Sequence, residues 1–405
     1  MKKRLLLLVL AAIVLGAGAW LATYRSSARA RATAVGTKVL PALPLDQVAR
    51  IVIRAPGGTN TTLVRLNEQW VVAERANYPA DFAKLREVVQ KLTDLKVRQV
   101  VRVSPDQLAD LGLLPPGTRT GTGTIERVAS EVAFHDAAGK PLATLRLGKP
   151  RMRSGGGAAA GGMDFGGYPD GRYIARTDGE ALLVADSLEE LTSPLANWLD
   201  PTFIDIPMDQ IAKIEVAGPN RAPVVLTRQA GGVFTLPNVA TNKEPDEYKI
   251  GRITGALAGL HFPDVATPGI PIAVSGLDHP VILTAHCNDG RTVTIQLGAT
   301  VTNAAERYAT VAIAYTPPPE APPTAGTNAA ALAEAKTRTI ADRAARDKTA
   351  VDVRALQSRL APWGFLLSAY NADAMLTPAT ELVKDKPVPS TNTTTTATAA
   401  VKSEE

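Results

Sequence analysis

One stretch of this chain occurs twice, and the repetition limits what the chain can fold into. Leu45-Asp46-Gln47-Val48-Ala49-Arg50-Ile51-Val52-Ile53 returns as Met208-Asp209-Gln210-Ile211-Ala212-Lys213-Ile214-Glu215-Val216. A proline precedes each copy, Pro44 and Pro207, and similar landmarks follow in the same order. Trp70-Val71-Val72 matches Phe234-Thr235-Leu236 as a strand. After Tyr78-Pro79-Ala80-Asp81, the residues Phe82, Leu85, Val88, Val89, Leu92 and Leu95 fall on one helical face. Asp81 suits the N-cap, where its carboxylate accepts from the free amides of the first turn. The second copy reads Pro245-Asp246-Glu247-Tyr248, then Ile250, Ile253, Leu257 and Leu260. Gly251, Gly255 and Gly259 weaken that helix, each by up to about 1 kcal/mol against Ala.

Turn signals continue the match. Ser104-Pro105-Asp106-Gln107 reads as a capped helix start that Gly112 ends. Leu111-Gly112-Leu113 corresponds to Ser275-Gly276-Leu277. Hairpins are expected around Asp136 to Lys140 and around Asn288-Asp289-Gly290, and both finish in Leu-Gly, at Gly148 and Gly298. Strands at Arg172-Tyr173-Ile174 and Arg307-Tyr308-Ala309 follow. Leu191, Leu195 and Trp198 match Leu356, Leu360 and Trp363 as a closing helix. Extra loop is expected at 117–125 and 154–167 in copy one, and an insertion at 316–350 in copy two.

The expected fold class is therefore α+β: an N-terminal transmembrane helix, then two tandem repeats of a mostly antiparallel sheet with packed helices. The boundaries are a cytoplasmic N-terminus at 1–4, an anchor at 5–23, a linker at 24–43, repeats at 44–200 and 206–383, and a disordered tail at 384–405. Leu5 to Thr23 is uncharged and mostly apolar, just long enough to cross a hydrocarbon core of about 30 Å. The competing reading is a cleaved leader, for which Ala28-Arg29-Ala30 offers a small-x-small site. Lys2, Lys3 and Arg4 compete with Arg25, Arg29 and Arg31 in setting orientation. A short N-terminus before a large body favours a single pass through a bacterial inner membrane with the body on the periplasmic side.

Charge excludes some functions. Lys plus Arg number 44 and Asp plus Glu 39, a net +5, interspersed and without a nucleic-acid stripe. Lys84, Arg86, Lys91, Lys96, Arg98 and Arg102 form the densest basic stretch and read as a solvated helix face, or as attraction to anionic lipid. Cys287 is the lone cysteine, so no intramolecular disulfide can form. His135, His261, His279 and His286 stand in no metal-ligating spacing, and His286 and Cys287 point to opposite faces of a strand. No nucleophile elbow or phosphate-cradling loop is visible. Asp46 and Asp209, with Gln47 and Gln210, recur and read as residues binding backbone amides where the strand begins. No catalytic, cofactor-binding or metal residue is assigned, and no cofactor. Thr316 to Pro323 reads as a stiff spacer, and Ala329 to Arg346 as a helix with few large apolar residues.

An N-terminal apolar run followed by Val48 to Ile53, Trp70 to Val72, Tyr78 to Asp81, Leu111-Gly112-Leu113 and Leu145 to Lys149 resembles the domain-of-unknown-function 4340 family. The resemblance covers 45–200 and, more loosely, 208–370; the second copy lacks the Trp and the Tyr-Pro-Ala-Asp. It implies a bacterial envelope protein, often encoded beside an ABC-type transporter with gliding-motility-like components, and it implies no catalytic residues. The expectation is a non-catalytic accessory or scaffold of such a complex, with transporter subunits or other envelope proteins as partners and no nucleic acid. A stand-alone periplasmic module binding glycan or peptide is the alternative, and a hydrolase with an unrecognised site is the third class.

Overall fold

The computed structural model describes residues 34–41, 43–58, 60–118, 125–153, 168–177, 179–201, 203–267, 269–302, 304–319 and 329–386. The expected anchor at 5–23, the glycine-rich loop at 154–167, the later part of the proline spacer and the tail beyond 386 lie outside these residues. No described helix is long and apolar enough to cross a membrane. The chain divides into two compact units between Pro201 and Thr202.

The first unit contains β1 (Arg50–Arg54), β2 (Asn60–Leu66), β3 (Gln69–Val72), β4 (Tyr78–Pro79), α1 (Phe82–Asp94) and β5 (Val97–Val101). It continues through α2 (Pro105–Asp110), β6 (Ser130–His135), β7 (Pro141–Arg153), β8 (Tyr168–Arg176) and β9 (Ala181–Val184). Its nine strands form one sheet in the order β4-β3-β2-β1-β6-β7-β8-β9-β5, and its strand pairings are antiparallel. Two caps act as their sequences require. The Asp81 carboxylate accepts from Lys84 N–H, and Ser104 and Gln107 exchange both bonds of a capping box. Helix α1 buries Leu85, Val88 and Leu92 but leaves Phe82 59 % exposed.

The second unit opens with β10 (Phe203–Asp205), β11 (Ile211–Ala217), β12 (Val224–Arg228), β13 (Phe234–Thr235), β14 (Lys243–Pro245) and α3 (Glu247–Ala258). Next come β15 (Gly259–His261), β16 (Asp264–Val265), α4 (Ile272–Ser275), β17 (Val281–Cys287), β18 (Arg291–Thr300) and β19 (Glu306–Tyr315). Last are α5 (Ala329–Leu360), β20 (Phe365–Ser368), α6 (Ala369–Met375) and β21 (Val383–Asp385). The main sheet runs β13-β12-β11-β17-β18-β19-β20-β16. Strand for strand this is the first sheet without its outermost β4. The register agrees too: Ile51 lies opposite Leu63 and Phe134, and its counterpart Ile214 opposite Leu226 and Ala285. The hairpins β6-β7 and β17-β18 occupy equivalent places.

The recurring Leu-Gly signals share one cause. Gly112 and Gly276 end the helices α2 and α4 at φ +69 and +66, where a Cβ would be strained. The turns they make rest on Gly148 and Gly298. A Cβ on Gly148 would lie 2.4 Å from the Leu111 carbonyl oxygen, and on Gly298 2.0 Å from that of Ser275. Only glycine admits that approach. In each case the glycine sits where the ladder to the next strand shifts register.

The ends of the repeats differ from the expectation. Leu191, Leu195 and Trp198 lie in two one-turn 3-10 helices, Glu189–Thr192 and Leu195–Trp198, interrupted at Pro194. They follow β9, whereas Leu356 and Leu360 precede the equivalent strand β20 inside the 32-residue helix α5. The true counterpart of Trp198 is Leu382: the Trp198 carbonyl accepts from Asp81 N–H and the Leu382 carbonyl from Asp246 N–H. The second repeat therefore crosses from β19 to β20 through all of 316–364, where the first uses 177–180. The expected insertion helix and closing helix are one element. Residues 334–352 of α5 are mostly exposed, while Val353 and Leu360 are buried and the Gln357 side-chain oxygen accepts from Ile313 N–H on β19.

Candidate functional site

Helix α1 does not close fully on its sheet. An apolar crevice of about 320 Å³ remains, lined by Leu45 and Val48 before β1, Trp70 on β3, Phe82, Arg86 and Val89 on α1, and Phe134 on β6. Phe82 belongs to the apolar face of α1, and it sits on the first turn of that helix, at the mouth of the crevice. Arg86 is exposed and has no carboxylate partner among the described residues.

The second repeat has a crevice in the same place, of about 420 Å³. Six lining positions are equivalent in the two. Leu45 becomes Met208, Trp70 becomes Phe234, Phe82 becomes Glu247, Leu85 becomes Ile250, Arg86 becomes Gly251 and Val89 becomes Thr254. Gly251 leaves bare helix, with nothing within 4 Å of where a Cβ would stand. Asp209 and Glu247 contribute carboxylates that the first crevice lacks.

One arginine marks the contrast. Arg228 lies opposite Phe234 on the neighbouring strand, as Arg65 lies opposite Trp70. Arg228 folds over the Phe234 ring with 4.8 Å to its centroid. Its Nε donates to the Ile211 carbonyl at 2.8 Å, Nη1 to that of Gly232 at 3.2 Å, and Nη2 to that of Met208. Arg65 instead pairs with the Glu68 carboxylate. The hairpin turns decide this. Asn67 and Glu68 form a tight turn at φ +47 and +66, which sets Glu68 beside Arg65. The longer turn of the second repeat puts Gly231 and Gly232 there, offering only a carbonyl.

The repeated Asp-Gln pair is not an amide clamp, and of its members only Asp209 lines a crevice. Leu45–Gln47 and Met208–Gln210 are each one turn of 3-10 helix, and Asp46 and Asp209 are exposed. Asp209 accepts from the Gln210 side-chain amide at 3.4 Å. Among the described residues no backbone N–H bonds either carboxylate.

The other singled-out residues are dispersed. Lys84 leaves the solvated face: it lies 4.7 Å from the Trp198 ring centroid and donates to the Ser193 hydroxyl and the Asn197 carbonyl, and burial pulls its pKa down. Lys91 bridges Glu87 and Glu190, and Arg98 pairs with Asp170 at 2.9 Å. His135 and His286 are equivalent, opposite Arg50 and Lys213. His286 Nε2 lies 3.1 Å from Glu215, whose carboxyl is held low first by Lys213 and then by His286. Cys287 is buried, and desolvation pushes its thiol up to about 11, with Asp289 adding to the effect. A thiol so placed stays protonated and unreactive. No cluster of three metal-ligating side chains occurs among the described residues.

A family model described as Domain of unknown function (DUF4340) matches residues 70–280, just over half of the chain. The chain belongs to this family. No curated protein and no solved structure matches it. The span that matches the family runs from Trp70 to Pro280 and so takes in α1, with Phe82, Arg86 and Val89, and also α3. Sequence reasoning missed the crevice because Phe82 and Val89 continue the apolar face of α1. The available signal was the substitution of that face by Glu247 and Thr254 in the second copy.

Proposed function

We propose that this protein is a non-catalytic, membrane-tethered envelope module, accessory to an ABC-type transport or gliding-motility-like complex. Its first repeat holds a partner and its second is scaffold. The observation that carries this reading is the pair of equivalent crevices, of which, among the described residues, the first has no lining carboxylate and an unpaired cation, Arg86, at its lip. Such a lining supports binding by desolvation, with few polar groups to orient the guest. The occupant that fits is an aromatic or aliphatic side chain of an extended segment of a partner protein, with a carboxylate beside it to meet Arg86. Residues 5–23 supply the tether to the inner membrane, with the body on the periplasmic side.

A photoreactive amino acid at position 82 in living cells tests this. An adduct with an envelope protein is expected at 82 and none at the equivalent position 247. No adduct at 82, or equal adducts at both positions, overturns the proposal. A second reading rests on Trp70 and Phe82: a stand-alone module binding free peptide or glycan. That reading gains if the adduct at 82 is a small molecule and no transporter subunit co-purifies. The topology follows from a reporter fused after Ser403, which is active only if exported, and from retention in membranes after carbonate washing. Release into the soluble fraction would show a cleaved leader.

A further inference from the structure

We propose that the exposed half of α5 pairs, antiparallel, with the same half of α5 in a second copy of this chain. The inference goes beyond the crevices and does not depend on what fills them. The first repeat has no such element, since it joins β8 to β9 through 177–180. Residues 334–352 of α5 are mostly exposed, and among them Ile340 is 70 % and Val351 59 % exposed. These two are eleven residues apart, which is three helical turns, and the exposed Ala344 stands between them on the same face. Val353, buried against the chain's own body, is nine residues from Ala344, or two and a half turns. The stripe of Ile340, Ala344 and Val351 therefore faces away from the body. Ile and Val form helix less readily than Ala, so neither side chain serves the helix itself.

Charge selects the occupant. Two ion pairs close within the helix, Arg338 with Glu334 at 3.0 Å and Lys348 with Asp352 at 2.6 Å. Lys336 and Asp347 are exposed and have no partner among the described residues. They too are eleven residues apart, and they line the same edge of the stripe. A second α5 running antiparallel, about a two-fold axis between Ala341 and Asp342, sets Lys336 of each copy against Asp347 of the other. The pair then forms twice, as a self-complementary contact requires. The same register seats Ile340 between Ile340 and Ala344 of the second copy, and along the other edge it brings Glu334 near Lys348 of the second copy. A parallel pair in register would put like charges at every level instead. Residues 334–349 overlap, about 24 Å of helix, so the contact is short and the dimer dissociable. The bodies stay apart. The two Val353 residues stand about 35 Å from each other along the pair, and each body lies behind its own helix.

The test uses the full chain with Cys287→Ala, so that the only thiols are those introduced. Lys336→Cys and Asp347→Cys are made singly and together. Within one helix the two positions are about 16 Å apart, beyond the reach of a disulfide. Mild copper-catalysed oxidation should link two copies in the double variant and in a mixture of the two single variants. Either single variant alone should link about tenfold less, because like positions lie about 16 Å apart along the antiparallel pair. Charge reversal gives a second measurement. Lys336→Glu should weaken the dimer about tenfold in sedimentation, and adding Asp347→Lys should restore it, with unchanged melting curves. Single variants that link as well as the mixture, links to another protein only, or no link at all overturn the inference, as does a double charge reversal that fails to restore the dimer. The adduct at position 82 reads the first crevice separately, so either proposal can fail alone.

Discussion

The two repeats share a strand order, a register and a pair of glycine contacts, yet differ at the crevice beside the first long helix. In the first repeat Trp70, Phe82 and Val89 face an open hollow. In the second, Phe234, Glu247 and Thr254 occupy the same positions, and Arg228 folds over the Phe234 ring. Residues that hold the sheet together have kept their roles, and residues at the lip have not. A duplicated scaffold thus separates the residues that folding requires from those free to differ between the copies.

The largest effect should come from the shared contacts. Gly148→Ala and Gly298→Ala each drive a Cβ into a backbone carbonyl oxygen, which cannot step aside. Each should cost about 3 kcal/mol or more in denaturant unfolding. A loss below about 1 kcal/mol in either repeat would break the equivalence of the two scaffolds.

The long crossover should divide into two halves. Leu360→Ala, in the buried part of α5, should cost about 3 kcal/mol, and Ile340→Ala, on the exposed part, less than about 0.5 kcal/mol. Similar costs for both would mean that the exposed half of α5 belongs to a core.

A smaller asymmetry is chemical. The strand β17 ends at a buried thiol, Cys287, where the first repeat has Asp136 bonding the amides of its turn. The folded thiol ionises near 11, above its unfolded value. Its contribution is complete below the unfolded value and is lost as pH rises toward 11, because only the unfolded chain releases the proton in between. Between pH 8 and 11 the parent should lose about 2 kcal/mol more than Cys287→Ala. Equal losses would show that burial of the thiol does not control its titration.

The smallest expected change is a gain. Gly251→Ala meets open space on α3, so helix propensity should add about 0.5–1 kcal/mol of stability. A loss instead would mean that the second crevice needs its bare backbone.

Much of this fold was legible in the residues. Alternation and turn chemistry located the hairpins, and the caps at Asp81, Ser104 and Asp246 form as local rules require. The end of the second repeat was not legible. Leu356-Leu360-Trp363 repeats the spacing of Leu191-Leu195-Trp198, but that spacing describes any apolar helical face, and only strand pairing shows that Trp198 answers to Leu382. The crevice was hidden for a related reason. Periodicity tells which residues share a face of α1, not how far the sheet reaches beneath it, so nothing set the exposed Phe82 apart from the buried Leu85. The conduct of Arg65 and Arg228 depends on hairpin turns of different length, which a pairwise match of strands passes over.

On the proposed function, the first crevice differs from the second because it holds a partner. Exchanging its lining tests this directly, with Phe82→Glu, Arg86→Gly and Val89→Thr placing the second repeat's residues in the first. Partners recovered from native membranes would be compared with those of the parent, alongside thermal melting. The variant should melt within a few degrees of the parent, as surface substitutions do, and lose its partners. A folded variant that retains the same partners would contradict it.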